Sequence, residues 1–173
     1  MEKEVIDIGK LKAFEKELGC TFCEDGQFAE MSRNISDYNE KTAPIPEIEY
    51  ALFKGDIAEL KKLVEIVDPG WPQYFNNPSE IFCGYYKGKV ICFCNVEDGE
   101  YSMIAEAGKR TGTIGCVGTL PEYRGRGIAL RMVDLATVYL KEQGYQKCYI
   151  SYTAIDHWYA KLGYKTFARF SIN

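Results

Sequence analysis

Histidine is nearly missing from this chain: the 173 residues include one, His157. That excludes a histidine-rich metal site, and any triad that needs an imidazole must rest on one residue. Long apolar runs are missing too. Residues 90–94 form one of the longest, far short of the roughly 20 that span a bilayer. The start, MEKEVIDIGK, is charged and has no signal-peptide core. Positive charge is in deficit, with 21 Lys and Arg against 25 Asp and Glu, a net −4. This weighs against nucleic acid or an anionic membrane surface as partner. Cysteine is present but odd in number, seven in all, which reads as free thiols in a cytoplasmic protein and not as a secreted disulfide framework.

What is present suits one folded domain with an added segment. Hydrophobic residues make up 46% of the chain, enough to bury a core at this length. The polar, proline-bearing stretch Asn39-Glu-Lys-Thr-Ala-Pro-Ile-Pro-Glu47 reads as a boundary, which predicts an N-terminal extension over 1–45 and a main domain over 46–173. Apolar residues at 11, 14 and 18 predict a helix over 10–18, ended by Gly19. Beyond the boundary, 48–53 reads as a strand. Asp56 and Glu59 read as a capping box for a helix whose apolar face is Ile57, Leu60, Leu63, Val64 and Val67. Residues 80–86 and 89–96 read as a hairpin around Lys87-Gly88. Residues 101–105 read as another strand, and so do 113–120.

The most legible segment follows. Ile128, Met132, Leu135, Ala136, Tyr139 and Leu140 recur at helical spacing, while Arg131, Asp134, Thr137, Lys141 and Glu142 take the opposite face. This predicts an amphipathic helix of about four turns closed by Gly144. A strand over 145–153, a short helix over 156–162 closed by Gly163 and a strand over 164–172 complete the pattern. The predicted fold is mixed α/β of the α+β type, with a central mixed sheet of about six or seven strands flanked by helices.

The chemistry concentrates where a strand meets the long helix: Val117-Gly-Thr-Leu-Pro-Glu-Tyr-Arg124-Gly125-Arg126-Gly127-Ile128-Ala129. A glycine-rich turn opening a helix leaves several backbone N–H groups pointing one way, with the positive end of the helix dipole behind them. That suits a phosphate or pyrophosphate. The segment lacks the Gly-Lys-Ser/Thr ending of a P-loop and the Gly-x-Gly-x-x-Gly spacing of a dinucleotide site. The residues alone allow either an anion site or a tight turn with solvated arginines.

Arg124-x-x-Gly127-x-Ala129 resembles the Arg/Gln-x-x-Gly-x-Gly/Ala signature of the GNAT superfamily of acyl-CoA-dependent N-acyltransferases. Tyr159-Ala-Lys-Leu-Gly163-Tyr164 resembles a second segment of that family at its usual separation. The resemblance covers about 125 residues. It implies a sheet splayed between the strands at 113–120 and 145–153, with acetyl-CoA as co-substrate in the gap and no metal. It assigns the backbone of Val117, Gly118 and Thr119 to the pantetheine and thioester. The turn from Arg124, Gly125, Arg126 and Gly127 through Ile128, Ala129 and Leu130 takes the pyrophosphate. Tyr159 becomes the general acid for the leaving thiolate. Proton donation from a tyrosine (pKa about 10) to a thiolate (about 8.5) is uphill by about 2 kcal/mol, so its contribution is expected near 10²-fold. Read without the resemblance, Tyr159 instead packs beside Trp158.

Two departures stand out. Tyr152 occupies a position where the family often has an Asn that contacts the pantetheine. Neither of the two strands carries a carboxylate base, which favours an amine of low pKa or a relay to a loop residue, with Glu122, Asp156 and His157 as candidates. Trp71, Tyr74 and Tyr152 are assigned to the acceptor pocket. Cys20-Thr-Phe-Cys23 is a lone pair with no second pair, which weighs against a zinc ribbon and leaves a redox role, and Cys116 lies beside the thioester strand as an alternative acyl carrier. The expected function is acetyl transfer to a small-molecule amine or peptide N-terminus by direct attack, in a monomer or homodimer. A non-catalytic acyl-CoA sensor is the alternative.

Overall fold

Residues 3–173 are described in a computed structural model. In chain order the elements are α1 (Ile8–Leu18), β1 (Cys20–Phe22), β2 (Phe28–Asn34), β3 (Ile48–Leu52), α2 (Ile57–Val67), β4 (Ile81–Tyr86), β5 (Lys89–Asp98), β6 (Thr111–Thr119), α3 (Ile128–Glu142), β7 (Lys147–Thr153), α4 (Asp156–Tyr159) and β8 (Lys165–Ile172). The strands form one mixed sheet in the order β1-β8-β2-β7-β6-β5-β4-β3, open at both edges. This bears out the α+β expectation with one strand more than foreseen. The unforeseen pairing lies in residues 20–34, beyond the helix expected over 10–18, where the sequence signalled no element.

The chain forms two units, one made of Met1–Asp37, Asp98–Thr113 and Lys141–Asn173, the other of Tyr38–Glu97 and Ile114–Leu140. In the first, Asp7 caps α1 by accepting from the Lys10 N–H at 3.1 Å, and Gly19 ends it in the left-handed conformation. Leu11 and Phe14 of α1 pack on Met103, Ile104 and Tyr149. β2 lies between β7 and β8, antiparallel to both, and its register shifts at Glu30. Thr111 to Thr113 of β6 pair in parallel with Lys147 to Tyr149 of β7. The strand expected over 101–105 does not form. The segment instead turns on bonds from Ser102 N–H to Gly99 C=O and from Ala105 N–H to Ser102 C=O, with Met103 and Ile104 both buried.

The second unit is built on Phe53, Leu60, Val64, Phe75, Ile81 and Phe93. Asp56 caps α2 through the Ala58 N–H at 2.8 Å. Glu59 turns to Lys62 at 2.9 Å and does not complete the expected reciprocal cap. The β4–β5 hairpin closes over Lys87 and Gly88, both at positive φ, as a two-residue turn requires.

α3 has the predicted length, but its polar face is not solvated. Arg131, Asp134 and Thr137 are all buried. Asp134 accepts bonds from the Tyr38 O–H (2.6 Å), the Lys41 N–H (2.9 Å), the Thr42 N–H (2.7 Å) and the Thr42 O–H (2.5 Å). Arg131 donates to Glu40 (2.5 Å) and to the Thr42 carbonyl (2.6 Å). The stretch that read as a linker is therefore a strap bound to α3 at residues 38–42. Burial pushes the Asp134 carboxyl up, but the bonds from Thr42, Tyr38 and Lys41 outweigh it and hold the group below its ordinary range.

A buried carboxylate with this many donors is costly to neutralise. Asp134→Asn is expected to cost about 3 kcal/mol in urea denaturation. Its stabilisation is full above the ordinary carboxylate value and is lost as pH falls through the lower folded value.

Candidate functional site

In the second unit, β6 leads into a 3-10 turn (Pro121–Tyr123) and then into α3. Cys116 takes φ +49 inside β6, a left-handed residue that bends the strand as a bulge does. Gly118 is pressed on Phe93: a Cβ there would lie 2.7 Å from the ring, so only glycine fits. Gly125 and Gly127 both take φ +76, and a Cβ at either would meet nothing within 4 Å. The turn therefore leaves an open cradle over the start of α3. Arg131 N–H makes the helical bond to Gly127 C=O at 3.0 Å, so helix geometry turns the Ile128, Ala129 and Leu130 N–H groups outward from the first turn.

The two arginines brace this turn. Arg124 Nε donates to the Thr119 carbonyl at 3.0 Å, and Arg126 donates to the Glu122 carbonyl at 3.1 Å with its guanidinium 5.7 Å from the Tyr123 ring centre. Both stay exposed beside the cradle. A cavity of about 380 Å³ adjoins it, lined among others by Pro46, Tyr86, Tyr123, Arg126 and Ile128. Val117, Gly118, Thr119 and the run from Arg124 to Leu130 thus lie along one continuous strand-turn-helix corner. Trp71 packs on the core of this unit, and Tyr74 is exposed. Burial, with Glu97 and Asp68 nearby, pushes the Cys116 thiol up to about 12. A thiol shifted in this direction is a weaker nucleophile at neutral pH.

In the first unit, Tyr159 is buried in α4. Its ring meets Trp158 edge-on at 4.9 Å and Tyr164 at 6.3 Å. Tyr152 sits in β7 at φ +56, half exposed, stacked on Phe28 at 4.5 Å and on Phe170 at 5.4 Å. Of the relay candidates, Asp156 is bound to Arg169 and Thr166, and His157 and Glu122 are exposed. All seven cysteines are free. Among the described residues no group of three or more His, Cys, Asp or Glu could hold a metal ion, and no helix is long and apolar enough to cross a membrane.

Glu30 of β2 went unnoticed in the sequence. Its side chain is fully buried and accepts from the Ser151 O–H (2.9 Å), the Tyr152 N–H (2.8 Å) and the Tyr149 O–H. Burial pushes its carboxyl up from 4.5 to about 7, against the opposing pull of the Tyr152 and Ser151 bonds. The available signal was an acid inside the apolar run Phe28-Ala-Glu-Met.

A family model described as Acetyltransferase (GNAT) family matches residues 46–164. The chain belongs to the GNAT acetyltransferase family. Among solved structures it is similar to a GCN5-related glucosamine N-acetyltransferase region of a fungal multi-domain GH3 β-N-acetylglucosaminidase (TM-score 0.72, 22% identity, 94% of this chain and 22% of that one). It is also similar to a GCN5-related N-acetyltransferase from Sphaerobacter thermophilus (0.64, 19%, 97% and 56%). A third is N-acetylglutamate synthase from Neisseria gonorrhoeae, complexed with coenzyme A and N-acetyl-glutamate (0.53, 17%, 69% and 28%). At these identities the likeness establishes the fold, and this chain spans from 22% to 56% of those proteins' length. No curated protein sequence matches the chain.

Two outcomes follow. Gly127→Val places a side chain in the cradle and forces a β-branched residue to positive φ, so acetyl-CoA affinity measured by calorimetry falls at least tenfold. Glu30 binds its proton more tightly folded than unfolded. Stability therefore falls as pH rises from 4.5 to about 7, and Glu30→Gln removes that slope from melting curves taken at pH 5 and pH 8.

Proposed function

We propose that the chain transfers an acetyl group from acetyl-CoA to a primary amine by direct attack in a ternary complex. The observation that carries this reading is the open cradle at Gly125 and Gly127 over the start of α3. It presents backbone donors to a pyrophosphate without a Cβ in the way, within the segment matched to the family. The N–H groups from Gly125 to Leu130 hold the pyrophosphate, with Arg124 and Arg126 beside it. The backbone of Val117, Gly118 and Thr119 holds the pantetheine and polarises the thioester carbonyl, and the bend at Cys116 sets its direction. These contacts pre-align the reactants, which is where most of the rate comes from when the leaving group is a thiolate.

Tyr159 gives its proton to that thiolate. The neutral amine forms the C–N bond, the C–S bond breaks, and the proton that nitrogen loses as the amide forms returns through solvent to the Tyr159 phenolate, restoring the acid. The acceptor is a small-molecule amine or a peptide N-terminus, with Tyr152, Trp71 and Tyr74 as its contacts, and the site needs no metal. In this reading the chain comprises an N-terminal extension over 1–45 and an acetyltransferase domain over 46–173. A monomer or homodimer acting in the cytoplasm fits this reading.

One observation favours the sensor alternative: Tyr159 is only 5% exposed and packs among aromatic rings. The two readings separate on Tyr159→Phe. Transfer predicts a kcat about 10²-fold lower with acetyl-CoA affinity unchanged. A sensor binds acetyl-CoA in calorimetry and releases no free thiol with any amine of a panel, wild type or variant.

A further inference from the structure

The proposed attack has an unmet need. A lysine-like ammonium (pKa about 10.4) costs about 4.6 kcal/mol to deprotonate at pH 7, and neither of the strands assigned to acyl-CoA carries a carboxylate. The first unit holds a buried carboxylate on another strand, Glu30 of β2. β2 inserts between β7 and β8, and its register shift falls at Glu30. The shift directs the Glu30 carboxylate at Ser151 and Tyr152 of β7, where the chain makes its left-handed bend. Glu30 is fully buried, whereas Ser151 is half-buried. The Ser151 O–H is directed at Glu30 Oε1 at 2.9 Å, so the enclosed carboxylate is joined to a residue that solvent reaches in part.

We propose that Glu30, reached through the Ser151 hydroxyl, accepts the proton that the acceptor ammonium must lose before it attacks. The inference rests on the acetyl-transfer reading. One ammonium N–H bond breaks as Ser151 Oγ takes that proton. The hydroxyl's own proton passes to Glu30 Oε1, the carboxylate becomes a carboxylic acid, and the amine is left neutral. After transfer the proton returns through Ser151 to water. The Tyr152 N–H and the Tyr149 O–H hold the carboxylate in place throughout. The titratable groups facing it are Tyr149 and, on β1, Cys20, whose thiol is pushed up by burial and by Glu15 and Glu30. Burial also places the affinity of Glu30 for a proton near neutrality, where a general base works best. Glu30 is not a catalytic residue in the sense of touching substrate. It acts through Ser151.

The test uses the alkylamine that a panel of polyamines, amino sugars and arylalkylamines shows to be the best acceptor, together with its β,β-difluoro analogue. The parent amine is protonated at the assay pH and the fluorinated one is largely neutral. Glu30→Gln and Ser151→Ala are each expected to lower kcat about 10²-fold for the parent and less than threefold for the analogue. Circular dichroism reports the fold. Ser151→Ala, at a half-buried position, keeps the comparison available if Glu30→Gln unfolds. Equal loss on both amines marks a structural role and overturns the relay, as does no loss on either. A wild-type protein that acetylates no amine overturns the transfer reading and the relay with it.

Discussion

The candidate site depends on a carboxylate that never meets solvent. Asp134 gathers two backbone N–H groups and two hydroxyls from residues 38–42 onto the side of α3. Arg131, one turn earlier, takes Glu40 and the Thr42 carbonyl. A helix bound along this face cannot slide or rotate without breaking several charge-assisted bonds together. The helix that carries the cradle is therefore fixed against residues 38–42 by contacts made away from any ligand. The Tyr50 hydroxyl, bonded to the Ile128 carbonyl at 2.9 Å, pins the first turn of α3 as well. Preorganisation of this kind lets backbone dipoles act on an anion without the protein reorganising.

Two non-glycine residues at positive φ mark the strands that the family resemblance connects with acyl-CoA: Cys116 in β6 and Tyr152 in β7. Such a conformation costs about 1–3 kcal/mol and persists only when its surroundings enforce it. At Tyr152 the enforcement is visible, since Glu30 holds the N–H of that residue and the hydroxyl before it. At Cys116 the chain is held by Gly118 against Phe93 on one side. The N-terminal segment thereby supplies α1, β1 and β2, and with β2 the buried acid beside β7.

Much of this was legible in the residues. The period of apolar positions gave α3 its length, Asp56 marked a helix start, Gly19 marked a helix end, and Lys87-Gly88 marked a hairpin, because each of these signals is local. The cradle was legible for the same reason, since two glycines before a helix are adjacent in the chain. What could not be read was long-range. Asp134 looked solvated because its partners lie 92 to 96 positions away. β2 was hidden because its register shift breaks strict alternation and places Glu30 and Met31, both buried, side by side. At residues 101–105 the error ran the other way: an apolar run predicted a strand where local i to i+3 bonds make turns.

The central claim is that acetyl-CoA is a co-substrate from which an amine takes the acetyl group. The direct measurement is the stoichiometry of amide formed to thiol released, by mass spectrometry and a thiol reagent on the same samples, with and without amine. The account predicts one amide per thiol and negligible thiol release without amine. Thiol release at the same rate without amine, or no release with any amine, would contradict it.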